Sequence, residues 1–152
     1  MQDIKLLFFA SQSKDKIVII DKLRVQQIVI NLISNAIKFS KKGQEIGVTT
    51  NFEILSTNTL LLSVKVSDEG IGISEKDQEN LFQMFFKTTD QISMRKNKAS
   101  HGIGLYLCKQ IAQRLGGDLT FRPLQKGSEF ELTLELSYID APVNVSIIFC
   151  NL

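Results

Sequence analysis

Apolar and polar positions along this chain follow two periods, and the switches between them divide it into elements. Residues 4–9 and 17–20 are short apolar runs on either side of the polar stretch 11–16, which predicts two strands joined as a hairpin. Over 22–39 the period is helical. Val25, Ile28, Val29, Leu32, Ala36 and Ile37 form an apolar face, Asp21 stands where an N-cap is needed, and Lys41-Lys42-Gly43 closes the end. Alternation returns over 45–54, with Ile46, Val48, Phe52 and Ile54 on one side, and over 60–68, with Leu60, Leu62, Val64 and Val66 inward. Asp68 has the same parity, so its carboxylate should point inward at the strand's end, where it needs hydrogen-bond donors.

Ser74-Glu75-Lys76-Asp77 has the form of a capping box opening a short helix, and Phe82, Phe85 and Phe86 in the following aromatic cluster read as core. Between Lys87 and Ser100 the sequence is polar and basic without periodicity, which predicts a long loop, either a lid over a site or a disordered stretch. His101-Gly102-Ile103-Gly104-Leu105 then leads into a helix with the stripe Leu107, Cys108, Ile111 and Leu115, stopped at Gly116-Gly117. Leu119 and Phe121, then Phe130, Leu132, Leu134 and Leu136, alternate as a closing hairpin. The element order predicts an α/β two-layer sandwich: a mixed, mostly antiparallel sheet with helices on one face. Residues 1–138 are expected to form the domain and 139–152 an apolar tail, either an extra edge strand or a fragment of a further segment.

Composition narrows the class of protein. A chain of 152 residues with 43% apolar content can bury a core, and a net charge of +2 without a basic run points to neither a nucleic-acid surface nor direct membrane contact. Cys108 and Cys150 lack metal-site spacing and suit a reducing, cytoplasmic setting, which includes the cytosolic part of a membrane-bound sensor. No stretch reaches the roughly 20 apolar residues of a membrane span, and Met1-Gln2-Asp3 does not begin a signal peptide.

Candidate chemistry starts in the first helix. Asn31, Asn35 and Lys38 (i, i+4, i+7) form a polar stripe beside the apolar face. Desolvating such amides without partners costs on the order of 1–3 kcal/mol, so the stripe is either solvated or meets a ligand. In a two-layer sandwich this stripe, the Asp68-Glu69-Gly70-Ile71-Gly72-Ile73 turn and the glycine-rich helix entry could line one pocket. The chemistries suit a nucleotide: a helix N-terminus for phosphate, a carboxamide oxygen for Mg²⁺, a lysine for the same phosphates and an inward carboxylate for the exocyclic amine of adenine.

Four ordered boxes make this specific. Asn31 to Ser40, DEGIGI from Asp68, LFQMFF from Leu81 and HGIGL from His101, with Arg24 before them and Gly127-Ser128-Glu129-Phe130 after, resemble the ATP-site motifs of sensor histidine kinases, whose catalytic domain has the Bergerat ATP-binding fold. By that resemblance Asn35 would ligate Mg²⁺, Asn31 and Lys38 would contact phosphates, and Asp68 would read adenine. Gly70 and Gly72 would shape the adenine pocket together with Ile73, and Phe85 of the aromatic box would contact ATP. Gly102, Ile103, Gly104 and Leu105 would hold the phosphates. Ser100 departs from the pattern, since many members carry glycine there.

ATPase relatives of the same fold resemble this pattern but carry a glutamate four residues before the magnesium asparagine. Here that position is Asn31, and no acidic residue lies in 22–40, so hydrolysis is disfavoured. The resemblance implies a catalytic domain using ATP and Mg²⁺ to phosphorylate a histidine on a separate dimerisation domain, in cis or in trans, for onward transfer to a response regulator receiver. The one histidine, His101, abuts the glycine turn and is not read as the acceptor, and the chain reads as an excised domain or a truncated gene product. The alternatives are a catalytically inert nucleotide- or partner-binding module and a serine kinase of the anti-sigma type.

Overall fold

The structure, a computed structural model, describes residues 4–10, 16–87, 102–140 and 149–150. Its sheet is organised by β6 (Ser128–Asp140), a 13-residue strand long enough to be paired along both edges. One edge pairs antiparallel with β4 (Thr59–Asp68), from Thr59 opposite Ser137 to Asp68 opposite Ser128. The other is shared: β5 (Gly117–Pro123) takes the first half and β2 (Lys16–Ile19) takes residues 138–140. Outside β4 lies antiparallel β3 (Glu45–Ile54), and outside β3 lies β1 (Lys5–Ala10), in parallel. The short β7 (Phe149–Cys150) runs parallel to β2, so part of the tail is an edge strand.

Strands β1 and β2 therefore do not form the hairpin that their closeness in sequence suggests; they lie on opposite sides of the sheet. The reason is nonlocal. Strand β6 extends beyond the reach of β5, and filling that free edge with β2 puts Val18 and Ile20 into the core at 2% and 3% exposure.

Helices α1 (Lys22–Phe39), α2 (Glu75–Gln78) and α3 (Gly104–Arg114) complete the described regular structure. Asp21 caps α1 through its carboxylate, which accepts the Arg24 N–H at 3.0 Å, and Ile28, Leu32 and Ala36 bury the helix's apolar face. In β4 the alternation is complete: Leu60, Leu62, Val64, Val66 and Asp68 are buried, and the residues between them are half-buried. Inward residues of β6 pair with them in register, Leu132 opposite Val64 and Leu134 opposite Leu62, beneath α1 and α3. Each such Leu or Val contributes about 1.5–3 kcal/mol of burial, which makes this strand pair a stiff floor.

Two local readings change. Ser74 takes the N-cap position of α2, but its side chain makes no capping bond, so the capping box is not formed. On α3 the buried residues are Cys108, Ile111 and Ala112, whereas Leu107, a quarter-turn off that face, is 42% exposed. Burial pushes the Cys108 thiol up to about 11, so it is a core residue rather than a reactive one. The long loop read between Lys87 and Ser100, together with His101, lies outside the described residues except at Lys87. Among the described residues no helix is long and apolar enough to cross a membrane.

Candidate nucleotide site

A cavity of about 370 Å³ opens between α1, the turn after β4, the segment 81–87 and the start of α3. That volume suits a small-molecule ligand. Helix α1 runs beside it from Asn31, next to Gly104, to Phe39, whose carbonyl lies against Gly70. From the first to the last of those nine residues the helix rises about 12 Å.

Asp68 forms part of the wall because β4 delivers it there on its inward parity, 7% exposed. Its Oδ1 accepts the Gly70 N–H at 2.8 Å, and the Ser128 backbone N–H also donates to the carboxylate. Burial raises its carboxyl above the ordinary value, and those two N–H bonds pull it part of the way back. Gly70 is not itself in the cavity wall; it sits behind Asp68 and orients it, while Gly72 and Ile73 reach the wall.

On α1, the Asn35 Nδ2 donates to Asn31 Oδ1 at 3.1 Å. This commits the NH₂ end of Asn35 and leaves its carbonyl oxygen as the end for a ligand or cation. Lys38 and Lys87 line the same cavity. Burial, and then the neighbouring Lys87 charge, push the Lys38 ammonium below its ordinary value. Two cations set close enough to disturb each other favour an anion between them. Removing both ammonium groups (Lys38→Met with Lys87→Met) is expected to weaken binding of a nucleoside triphosphate by about tenfold or more at low salt. Adenosine binding should be unchanged; calorimetry at two ionic strengths with both ligands checks this.

The entry to α3 supplies the other anion-facing feature. Gly102, Ile103, Gly104 and Leu105 all line the cavity, and Ile103 caps the helix without a side-chain bond to its first N–H groups. Gly102 packs so closely on 85–86 that a Cβ there would overlap the Phe86 carbonyl oxygen.

Phe85 is not part of the wall. Its backbone turns through φ 63, the residue is 64% exposed, and Phe86 takes the position against the cavity. Lys87, Phe86 and Ser128 also line the cavity; Phe86 and Ser128 lie within the motifs but carry no assigned contact there, and Lys87 falls just outside them. Ser128 could have been found from its neighbour, since it opens the strand whose alternation places Phe130 inward and lies opposite Asp68. Ser100 and His101 lie outside the described residues.

A mixed sheet covered by helices on one face, with a cavity of this lining, defines an ATP-binding α/β domain. Residues 20–138 match the family of histidine kinase-, DNA gyrase B- and HSP90-like ATPases, and the chain belongs to it. Within that family the chain is of the histidine kinase type, as an ATP-binding catalytic domain. BarA of Escherichia coli (strain K12), a signal transduction histidine-protein kinase, is 38% identical over 120 residues, which cover 78% of this chain and 13% of BarA. LuxQ of Vibrio vulnificus (strain YJ016), an autoinducer 2 sensor kinase/phosphatase, is 39% identical over 116 residues, which cover 75% of this chain and 13% of LuxQ. This chain thus spans about an eighth of the length of those relatives.

Among solved structures, the catalytic domain of histidine kinase ThkA, in a nucleotide-free form, matches with a TM-score of 0.63 at 25% identity, covering 93% of this chain and 83% of that one. Full-length ShkA in complex with AMPPNP has the same fold, with a TM-score of 0.69 at 22% identity, covering 93% of this chain and 27% of that one.

Proposed function

We propose that this domain binds ATP with Mg²⁺ and transfers the γ-phosphate to a histidine presented by a separate dimerisation domain, in the same chain or another, for passage to a response regulator receiver. The observation that carries the reading is one cavity lined by a buried carboxylate, Asp68, and by two lysines, Lys38 and Lys87, beside the N-terminus of α3. Asp68 would accept the exocyclic amine of adenine, with Gly72 and Ile73 beside the base. Asn31, Lys38, Lys87 and the entry 102–105 would meet the phosphates.

The donor set fits Mg²⁺. Among the described residues there is no cluster of three or more His, Cys, Asp or Glu side chains that could cage a metal, whereas Mg²⁺ bridging phosphates needs one or two protein oxygens. The Asn35 carbonyl oxygen would take that role; what supports this is that Asn35 lines the cavity and its NH₂ end is engaged with Asn31. When bound, the ion supplies charge neutralisation on the phosphates.

In the transfer, the N–P bond to the imidazole forms as the γ-phosphorus–oxygen bond to ADP breaks, and the ring's proton passes to solvent. A neutral imidazole needs no added base near pH 7. Water does need one, and the Asn31 amide, already bonded to Asn35, supports transfer over hydrolysis. The setting is read as cytoplasmic, with 1–138 as the catalytic domain and the remaining residues as a tail.

Incubating the domain with γ-labelled ATP, Mg²⁺ and a dimerisation domain from a relative tests the transfer. Acid-labile, base-stable label on that partner's histidine is expected; bound ATP with no such label would overturn the transfer in favour of an inert binding module. Asn35→Ala is expected to lower ATP affinity in Mg²⁺ about tenfold, to the level measured with chelator, and to leave the metal-free affinity unchanged. Titrations with and without EDTA check this.

A further inference from the structure

The segment 81–87 contributes Leu81, Phe86 and Lys87 to the cavity, yet it contains no helix or strand. Among the described residues its backbone N–H groups make only turn bonds: Leu81 donates to the Gln78 carbonyl at 3.4 Å, Gln83 to the Asn80 carbonyl at 2.9 Å and Phe86 to the Gln83 carbonyl at 3.3 Å. Turns of this kind hold their place through side-chain anchors. The anchor here is Phe82, half-buried, which meets the Phe130 ring edge-on at 6.4 Å between centroids and an 89° interplanar angle. Phe130, itself in the cavity wall, packs on Phe121 at 5.3 Å.

Lys109 closes this arrangement from the other side. Its Nζ lies 5.0 Å from the centroid of the Phe82 ring, 2.7 Å from Asp118 Oδ1, and donates to the Leu119 carbonyl at 2.9 Å. The side chain is 21% exposed, so the ammonium is largely shielded from water, where cation–π attraction gains strength. Lys109 also lies one helical turn after Leu105, on the helix whose first residues form another wall of the cavity. One ammonium therefore joins α3, the start of β5 and the irregular segment.

We propose that Lys109 is a positioning residue for the nucleotide site, pinning Phe82 so that Phe86 and Lys87 are held against the cavity. The pinning is a property of the unliganded fold; its effect on affinity rests on the reading of the cavity as an ATP site. A salt bridge that merely stabilised the whole domain would spread its loss over the sheet. An anchor for one segment concentrates it there.

The test uses hydrogen exchange on the nucleotide-free protein and titration with a nonhydrolysable ATP analogue, applied to Lys109→Met, Lys109→Arg and Phe82→Leu. In Lys109→Met, amides of 81–87 should exchange faster while those of β4 and β6 keep their protection, and analogue affinity should fall about fivefold. Lys109→Arg should restore both, Phe82→Leu should reproduce both, and the double variant Lys109→Met/Phe82→Leu should be no worse than the worse single one. Unchanged exchange in 81–87, equal loss of protection across β4 and β6 in both single variants, additive effects, or full analogue affinity in Lys109→Met would each overturn the proposal. Faster exchange confined to 81–87, in a protein whose wild type binds no analogue, would support the pinning and refute the ATP reading of the cavity.

Discussion

Asp68→Ala is expected to lower affinity for an ATP analogue by about two orders of magnitude, on the order of 3 kcal/mol. The size reflects where the carboxylate sits. It is 7% exposed, so an adenine amine brought against the truncated site would be left unpaired out of water. The Gly70 and Ser128 N–H donors that now face the carboxylate would be orphaned too. The isosteric Asp68→Asn separates binding from stability. Folding raises this carboxyl above its ordinary 3.8, chiefly by burial, so its stabilising contribution is fully present below that pH and is lost as pH rises through the folded value. Ionised Asp68 is therefore a cost at neutral pH relative to its protonated form, and the melting temperature of the asparagine variant relative to wild type should rise between pH 4 and pH 7. Nucleotide binding should be weakened throughout. Melting curves at the two pH values and one titration resolve the two effects.

The second large effect concerns Gly127. It is buried with φ 91 in the turn before β6, and a Cβ there would collide with the backbone carbonyl of Asp68 and the Cα of Glu69. No flexible side chain can yield. Gly127→Ala combines left-handed strain of about 1–2 kcal/mol with displacement of β4 from the turn, for a total on the order of 3 kcal/mol and a fall in Tm of roughly 10 °C. Because the collision is with the residue that bears the site's carboxylate, binding should weaken with stability. Gly43→Ala is the control. Its φ is 83, but nothing lies within 4 Å of the added carbon, so it should cost only about 1 kcal/mol and leave binding intact. Thermal melts of the two variants side by side show whether close approach, rather than backbone conformation, is what Gly127 provides.

The features that sequence alone makes readable here are those with a local cause. Alternation from Leu60 to Val66 dictates that Asp68 points inward, and the structure buries it. Asp21 and the helical period fix α1 to residues 22–39 and put Asn31, Asn35 and Lys38 on one stripe. The misplaced features depend on distant parts of the chain or on a single dihedral. Whether β2 pairs with β1 or with the far end of β6 is decided by an edge more than a hundred residues away. Whether Phe85 or Phe86 meets the cavity is decided by one backbone turn at φ 63, which an aromatic pair does not announce. Lys87 looks like the first residue of a polar stretch until the cavity brings it beside Lys38.

The most direct measurement is a calorimetric titration of the wild-type chain with a nonhydrolysable ATP analogue, with and without Mg²⁺, alongside Asp68→Ala. Saturable binding that strengthens with Mg²⁺ and is lost in Asp68→Ala is the predicted result. No binding by the wild-type chain, or equal binding by the two proteins, would contradict the assignment of this cavity as the ATP site.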